Sequence, residues 1–134
     1  MKAVGSLAEV AELATSRAPL FVRFSAGPDA DAAEVSRDHE SGCELPGLSV
    51  NPLNPEPWFD RPVLHWVARQ LVQYAHLGEE GRYAWVVAGR EVGRGPDCEP
   101  LLADVDPVAR IPDDVVREAR ALYDEVFDVG DDGA

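Results

Sequence analysis

Lysine is almost missing from this chain and basic residues are scarce altogether: twelve Lys and Arg, of which only Lys2 is lysine, stand against twenty-five acids, a formal net charge of −13 over 134 residues. Neutralising phosphates takes a surplus of basic side chains, so this balance excludes a nucleic-acid-binding module and disfavours docking on an anionic membrane face. Cysteine is limited to Cys43 and Cys98, far apart and in no C-x-x-C pair. A structural zinc site therefore lacks its ligands, and free thiols are the expectation. No apolar run reaches the roughly 20 residues of a membrane-spanning helix. Residues 1–10 also lack the apolar stretch of a signal peptide, which makes a cytoplasmic location the expectation. Histidines at ligand spacing are missing too: His65 and His76 lie eleven residues apart, three helical turns, and His39 stands in a polar loop. No metal is expected. Gly89, Gly93 and Gly95 form G-x-x-x-G-x-G, which fits neither the dinucleotide fingerprint nor the phosphate loop.

What the chain does contain is the material of one small domain, expected over residues 1–128, followed by a flexible acidic tail at 129–134. Ser6 lies three residues before Glu9 in a capping-box arrangement, and Leu7, Val10, Ala11 and Ala14 follow at helical spacing. Leu20-Phe21-Val22-Arg23-Phe24 reads as a strand, with Leu20, Val22 and Phe24 on one face and Phe21, Arg23 and Ser25 on the other. Residues 26–46 are polar and aperiodic, a long loop of the kind that often carries function. Gly47-Leu48-Ser49-Val50 reads as a short strand, and the proline-rich stretch 51–57 as extended chain. The spacing predicts a helix over 62–77, capped by Asp60, with Val63, Val67, Leu71 and Tyr74 on its apolar line. Residues 83–88 read as a central strand and 89–97 as a turn-rich connection. Leu101-Leu102-Ala103 continues as strand through Ile111, and Pro112-Asp113-Asp114 opens a last helix, its acids at the positive end of the dipole. The predicted order αββαββα describes an α+β domain.

Three residues stand out along this order: Arg23 inside an apolar strand, Ser49 in the next strand and Glu99 at the mouth of a late one. With Leu20-Phe21-Val22-Arg23, Gly47-Leu48-Ser49-Val50 and Glu99-Pro100-Leu101-Leu102 in sequence, residues 19–105 resemble the ADP-ribosyltransferase-like fold, whose arginine class carries Arg, Ser and Glu in that order. The resemblance implies a matching sheet core and an NAD-dependent transferase or NAD-consuming activity that cleaves the nicotinamide–ribose bond. It implies Glu99 as the catalytic carboxylate, and it places Arg23 on a dinucleotide phosphate and Ser49 in the nicotinamide pocket. Trp58, Phe59 or Trp85 would stack on nicotinamide, and NAD would be a substrate, with no metal. The chain departs from the arginine-modifying members at Asp97, where they carry Glu or Gln, and at Pro100. Residues 41–53 and 93–100 also resemble a family of short actinobacterial proteins of uncharacterised function.

Plainer roles stand beside these. Arg23 could lie on a solvent-facing strand side, Ser49 at a strand edge, and Trp58, Trp66 and Trp85 in the core. The charge of −13, the segment 51–57 with Trp58 and Phe59 beside it, and the acidic tail also suit a non-enzymatic protein that docks on a basic partner. A further alternative is a small-molecule-binding domain with residues 36–42 as a lid.

Overall fold

The computed structural model of the chain describes residues 1–17, 19–32, 47–74, 81–96 and 98–127. Helix α1 (Leu7–Ser16) begins where its capping residues dictate. Ser6 Oγ accepts from the Glu9 amide at 3.2 Å, and Glu9 Oε1 accepts in return from the Gly5 amide at 2.7 Å. The reciprocal cap is thus displaced by one residue, since the carboxylate reaches Gly5 instead of Ser6. Leu7, Val10 and Ala14 are buried along one stripe.

A long antiparallel hairpin, β5 (Tyr83–Arg94) and β6 (Pro100–Ile111), forms the spine of the sheet. Strand β2 (Phe21–Ser25) pairs antiparallel with β5, and β1 (Lys2–Ala3) runs parallel to the far end of β6. The short strands β3 (Leu48–Ser49) and β4 (Asn51–Pro52) are consecutive but have different partners: β3 lies on β6 and β4 on β2. Between and beyond them, Val50 donates its amide to Pro100 O at 3.1 Å and Leu53 donates to Leu20 O at 2.9 Å. This single extended segment ties the β6 edge of the sheet to the β2 edge. It carries Ser49 to the mouth of the hairpin.

Period two sorts the side chains as the sequence pattern requires. Leu20, Val22, Ala84, Val86, Ala109 and Ile111 face a core closed by α1, α3 (Val63–Val72) and α4 (Asp113–Phe127). Phe21, Val50, Trp85, Val87 and Leu102 form a second cluster. Arg23 falls between Val22 and Phe24 and shares its side of β2 with Phe21 and Ser25.

Among the described residues there are four helices and six strands, an α+β arrangement that contains the expected αββαββα order and adds to it. One addition is β1. Another is the five-residue helix α2 (Pro28–Ala32), within the stretch read as loop. The connection expected at 89–97 is largely strand: β5 runs to Arg94, with irregular register between Ala88 and Arg90 and between Glu91 and Gly93. Glycines that suggest a turn can instead mark bulges in a continuous strand. Asp60 does not cap α3; Pro62 occupies that position without a side-chain bond. The readings placed on His39, Cys43, residues 36–42, His76, Asp97 and the tail at 129–134 lie outside the described residues.

Candidate functional site

Arg23, Ser49 and Glu99, separated in sequence by 26 and 50 residues, meet in space. Arg23 Nη1 donates to the Ser49 carbonyl at 2.8 Å, and the Ser49 hydroxyl donates to Glu99 Oε2 at 2.6 Å. The strand pairing explains the meeting. Ser49 sits opposite Leu101 on β6, two residues beyond Glu99, while the following turn of chain, Asn51, sits opposite Val22, next to Arg23.

Arg23 is itself held from the other side. Its Nε donates to Asp31 Oδ2 at 3.0 Å and its Nη2 lies 3.4 Å from Asp31 Oδ1, while the Asp31 side chain is only 10% exposed. The Ser25 hydroxyl donates to the same carboxylate at 2.7 Å and accepts from Trp85 Nε1 at 3.0 Å. A continuous set of hydrogen bonds thus leads from the buried Trp85 through Ser25, Asp31, Arg23 and Ser49 to Glu99. The guanidinium fork suits a phosphate or a carboxylate equally well. Here Asp31 takes the Nε/Nη2 edge that would grip a phosphate, so Arg23 positions Ser49 instead of presenting that fork to a ligand.

Glu99 is placed by its loop. Gly95 donates to Glu99 O at 2.8 Å, Cys98 donates to Gly95 O at 2.9 Å, and Arg94 Nη1 donates to Cys98 O at 3.0 Å. Cys98 takes a left-handed backbone, φ 62°, and its side chain is exposed, a free thiol. The carboxylate of Glu99 lies over Gly95: a Cβ there would come within 2.4 Å of it. Gly95 is glycine because the carboxylate fills the space of a side chain.

Two concavities share Ser49 and Asn51 in their walls. One, of about 460 Å³, is lined by Glu99, Arg94, Glu56 and Gln73 among others. The other, of about 290 Å³, is lined by Arg23, Arg82, Phe24 and Tyr74. Tyr74 stacks on Phe24, ring centroids 5.2 Å apart, and its hydroxyl accepts from Asn51 Nδ2 at 3.1 Å. Burial pushes the Tyr74 hydroxyl above its ordinary value, against smaller lowering by the Asn51 bond and the Arg23 charge.

The structure does not bring Trp58 to this site. Its side chain is 65% exposed, meets Phe59 and Trp66 edge to face, and lies under Arg69, whose guanidinium carbon is 5.4 Å from the ring centroid. It lines neither concavity; Trp66 and Trp85 are buried as core anchors. Among the described residues, no group of three or more His, Cys, Asp or Glu is arranged to hold a metal ion. Sequence reasoning missed Asp31, Asn51, Tyr74 and Gly95. For Asp31 a signal was available: Gly27-Pro28-Asp29 places proline at a first helical position with an acid behind it.

Fold and site together define a small α+β domain with an Arg–Ser–Glu chain at the rim of a cleft. The chain belongs to a family of unknown function, DUF6098, whose model matches residues 1–132. No curated protein and no solved structure matches it. No helix among the described residues is long and apolar enough to cross a membrane.

Proposed function

We propose that this domain cleaves the nicotinamide–ribose bond of NAD, with Glu99 as the catalytic carboxylate, in the manner of ADP-ribosyltransferases. One observation carries the reading: the Ser49 hydroxyl donates to Glu99 at 2.6 Å while Arg23 fixes the Ser49 carbonyl at 2.8 Å, on the wall of a concavity of about 460 Å³. Breaking the bond between C1′ and the pyridinium nitrogen leaves its electron pair on nicotinamide and positive charge on the ribose, as in glycoside cleavage. A carboxylate that accepts from the ribose 2′-hydroxyl stabilises that charge, and a fixed group of this kind typically contributes about 3–4 kcal/mol. Water or an acceptor side chain then adds at C1′ and releases its proton. Ser49 fixes one oxygen of Glu99 toward the cleft, and Arg23 keeps Ser49 in place.

The test is nicotinamide release from NAD by the full chain and by Glu99→Gln. Release by the wild type, lowered about 10²–10³-fold in the variant, supports the reading. Absence of release from the wild type, or equal rates in both proteins, overturns it.

Docking on a basic partner is a second reading, supported by the exposure of Trp58 on a chain of net charge −13. A stoichiometric partner captured at low salt and lost at high salt, with capture reduced by Trp58→Ala, supports it. Capture that ignores both salt and Trp58 counts against it.

A further inference from the structure

We propose that the concavity of about 290 Å³ beside the Glu99 cleft is a subsite for an uncharged ring with an amide-like edge, an acceptor beside an N–H, read by the Tyr74 hydroxyl and the Asn51 side-chain carbonyl. Two sources carry such an edge on a flat ring: a carboxamide, as in nicotinamide, and the amino edge of adenine. The inference needs no bond cleavage at Glu99 and goes beyond the transferase reading.

The choice of an uncharged ligand follows from the charges at this wall. Arg23 Nε and Nη2 face Asp31, and its Nη1 donates to the Ser49 carbonyl. Arg82, on the same wall, has a partner of its own. A net charge of −13 repels anions besides. Recognition thus falls to neutral groups. Val22, Phe24 and Val50 supply apolar wall around them. The volume lies at the small end of ligand pockets, roughly 300–1,000 Å³, and suits one ring system, not a whole dinucleotide.

Tyr74 is the donor. It is 9% exposed, it lines the concavity, and its hydroxyl oxygen accepts from Asn51 Nδ2 at 3.1 Å. Among the described residues its own proton has no acceptor, which leaves that proton for a ligand. Burial keeps the hydroxyl protonated through the neutral range. Asn51 is the acceptor. With Nδ2 turned to Tyr74, its Oδ1 receives no hydrogen bond among the described residues. That oxygen is not sealed in the core either, since the buried side-chain atom without a partner there is His65 Nδ1. A hydroxyl proton and a carbonyl oxygen therefore stand side by side, the complement of an acceptor beside an N–H.

The pair is fixed before any ligand arrives. Trp66 Nε1 and Gln70 Nε2 of α3 both donate to Pro52 O, at 3.2 and 2.8 Å, which ties α3 to the residue after Asn51. Tyr74 follows the same helix, with its amide on Leu71 O at 2.9 Å and its ring stacked on Phe24. Groups held in this way lose little freedom on binding.

The test titrates nicotinamide and adenosine separately into the full chain, followed by ligand-observed NMR. Saturable binding is expected, weakened about fivefold by Tyr74→Phe, as loss of one neutral hydrogen bond implies. Dimethylation of the ligand nitrogen removes its N–H without altering the chain. It should weaken binding by a similar factor in the wild type and by less in Asn51→Ala. Tyr123→Phe, on α4 and outside both concavities, should bind as the wild type does. Either ligand meeting these expectations supports the subsite, and the tighter of the two identifies the source of the edge. Binding of neither ligand, indifference to both Tyr74→Phe and dimethylation, or equal weakening by Tyr123→Phe overturns it. Nicotinamide release from NAD separates the subsite from the transferase reading. Tyr74-dependent binding without release keeps the subsite and removes the transferase. Release without such binding keeps the transferase and removes the subsite.

Discussion

Gly95 gives the sharpest probe of the site at the scale of single residues. A Cβ at this position would come within 2.4 Å of the Glu99 carboxylate, the mobile end of a flexible side chain. Gly95→Ala should therefore move the carboxylate off Ser49 and leave the sheet intact. Misplacement of a reacting group by about an ångström costs on the order of a hundredfold, so nicotinamide release should fall by about that factor. Stability should change by no more than about 1 kcal/mol, since alanine also restricts the unfolded chain. Activity assays and denaturant unfolding on one preparation check both halves. Tyr74 offers a second residue-scale expectation. Its hydroxyl is raised above its ordinary value of 10.0 in the folded state. The folded chain thus holds that proton more tightly than the unfolded chain does, so the contribution is complete below about pH 10 and is lost as pH climbs beyond it. Unfolding followed from pH 8 to pH 11, values chosen to bracket that ordinary pKa of 10.0, should show a shallower alkaline loss for Tyr74→Phe than for the wild type.

The contact between α2 and β2 is where the elements depend on one another. Asp31 and Arg23 are 10% and 23% exposed, so removing one partner leaves a charge with little water to compensate it. Breaking such a pair costs about 3 kcal/mol or more, while replacing both partners with apolar groups recovers much of the loss. Asp31→Ala should lower stability by about 3 kcal/mol, and the double variant Arg23→Met/Asp31→Leu should be closer to wild type than the single one. A double-mutant cycle in urea measures the coupling. The sequence pattern made β2 legible, because alternation of Leu20, Val22 and Phe24 needs only local information. Arg23, Ser49 and Glu99 were legible as types in order along predicted strands. Their partners were not: Asp31 lies on a single-turn helix inside a polar stretch, and Tyr74 meets Asn51 and Phe24 only because α3 packs against the sheet. Glycine-marked bulges hid the second half of β5 for a related reason, since a bulge and a turn draw on the same residues. Trp58 shows another limit of the pattern: an aromatic beside prolines says nothing of its neighbours, and its packing on Trp66 and Arg69 is set by α3.

For the molecule as a whole the governing quantity is charge. Twelve basic residues against twenty-five acids leave −13 at neutral pH, and self-repulsion of that size opposes the compact state. The exposed ion pairs do little against it: Arg90 with Asp104, Arg94 with Glu91 and Arg120 with Asp124 all lie on side chains between 41% and 75% exposed. Pairs of this kind contribute at most about 1 kcal/mol each and are weakened by salt. Salt thus acts in two directions, on favourable pairs and on unfavourable repulsion. With thirteen acids uncompensated, repulsion is the larger effect. Raising ionic strength from about 0.01 M to 0.15 M shortens the screening length from about 30 Å to 8 Å, less than the width of a domain. Relief of even about 1 kcal/mol raises the melting temperature of a domain this size by roughly 4 °C. Melting in sodium chloride should therefore shift upward by a few degrees over that range. The shift should shrink as pH is lowered toward the isoelectric point near 4.4, where acids become protonated and repulsion fades. A melting temperature that falls with salt at neutral pH would mean that the paired charges outweigh the unpaired ones, and the acidic surface would then have to be read as a stabilising network.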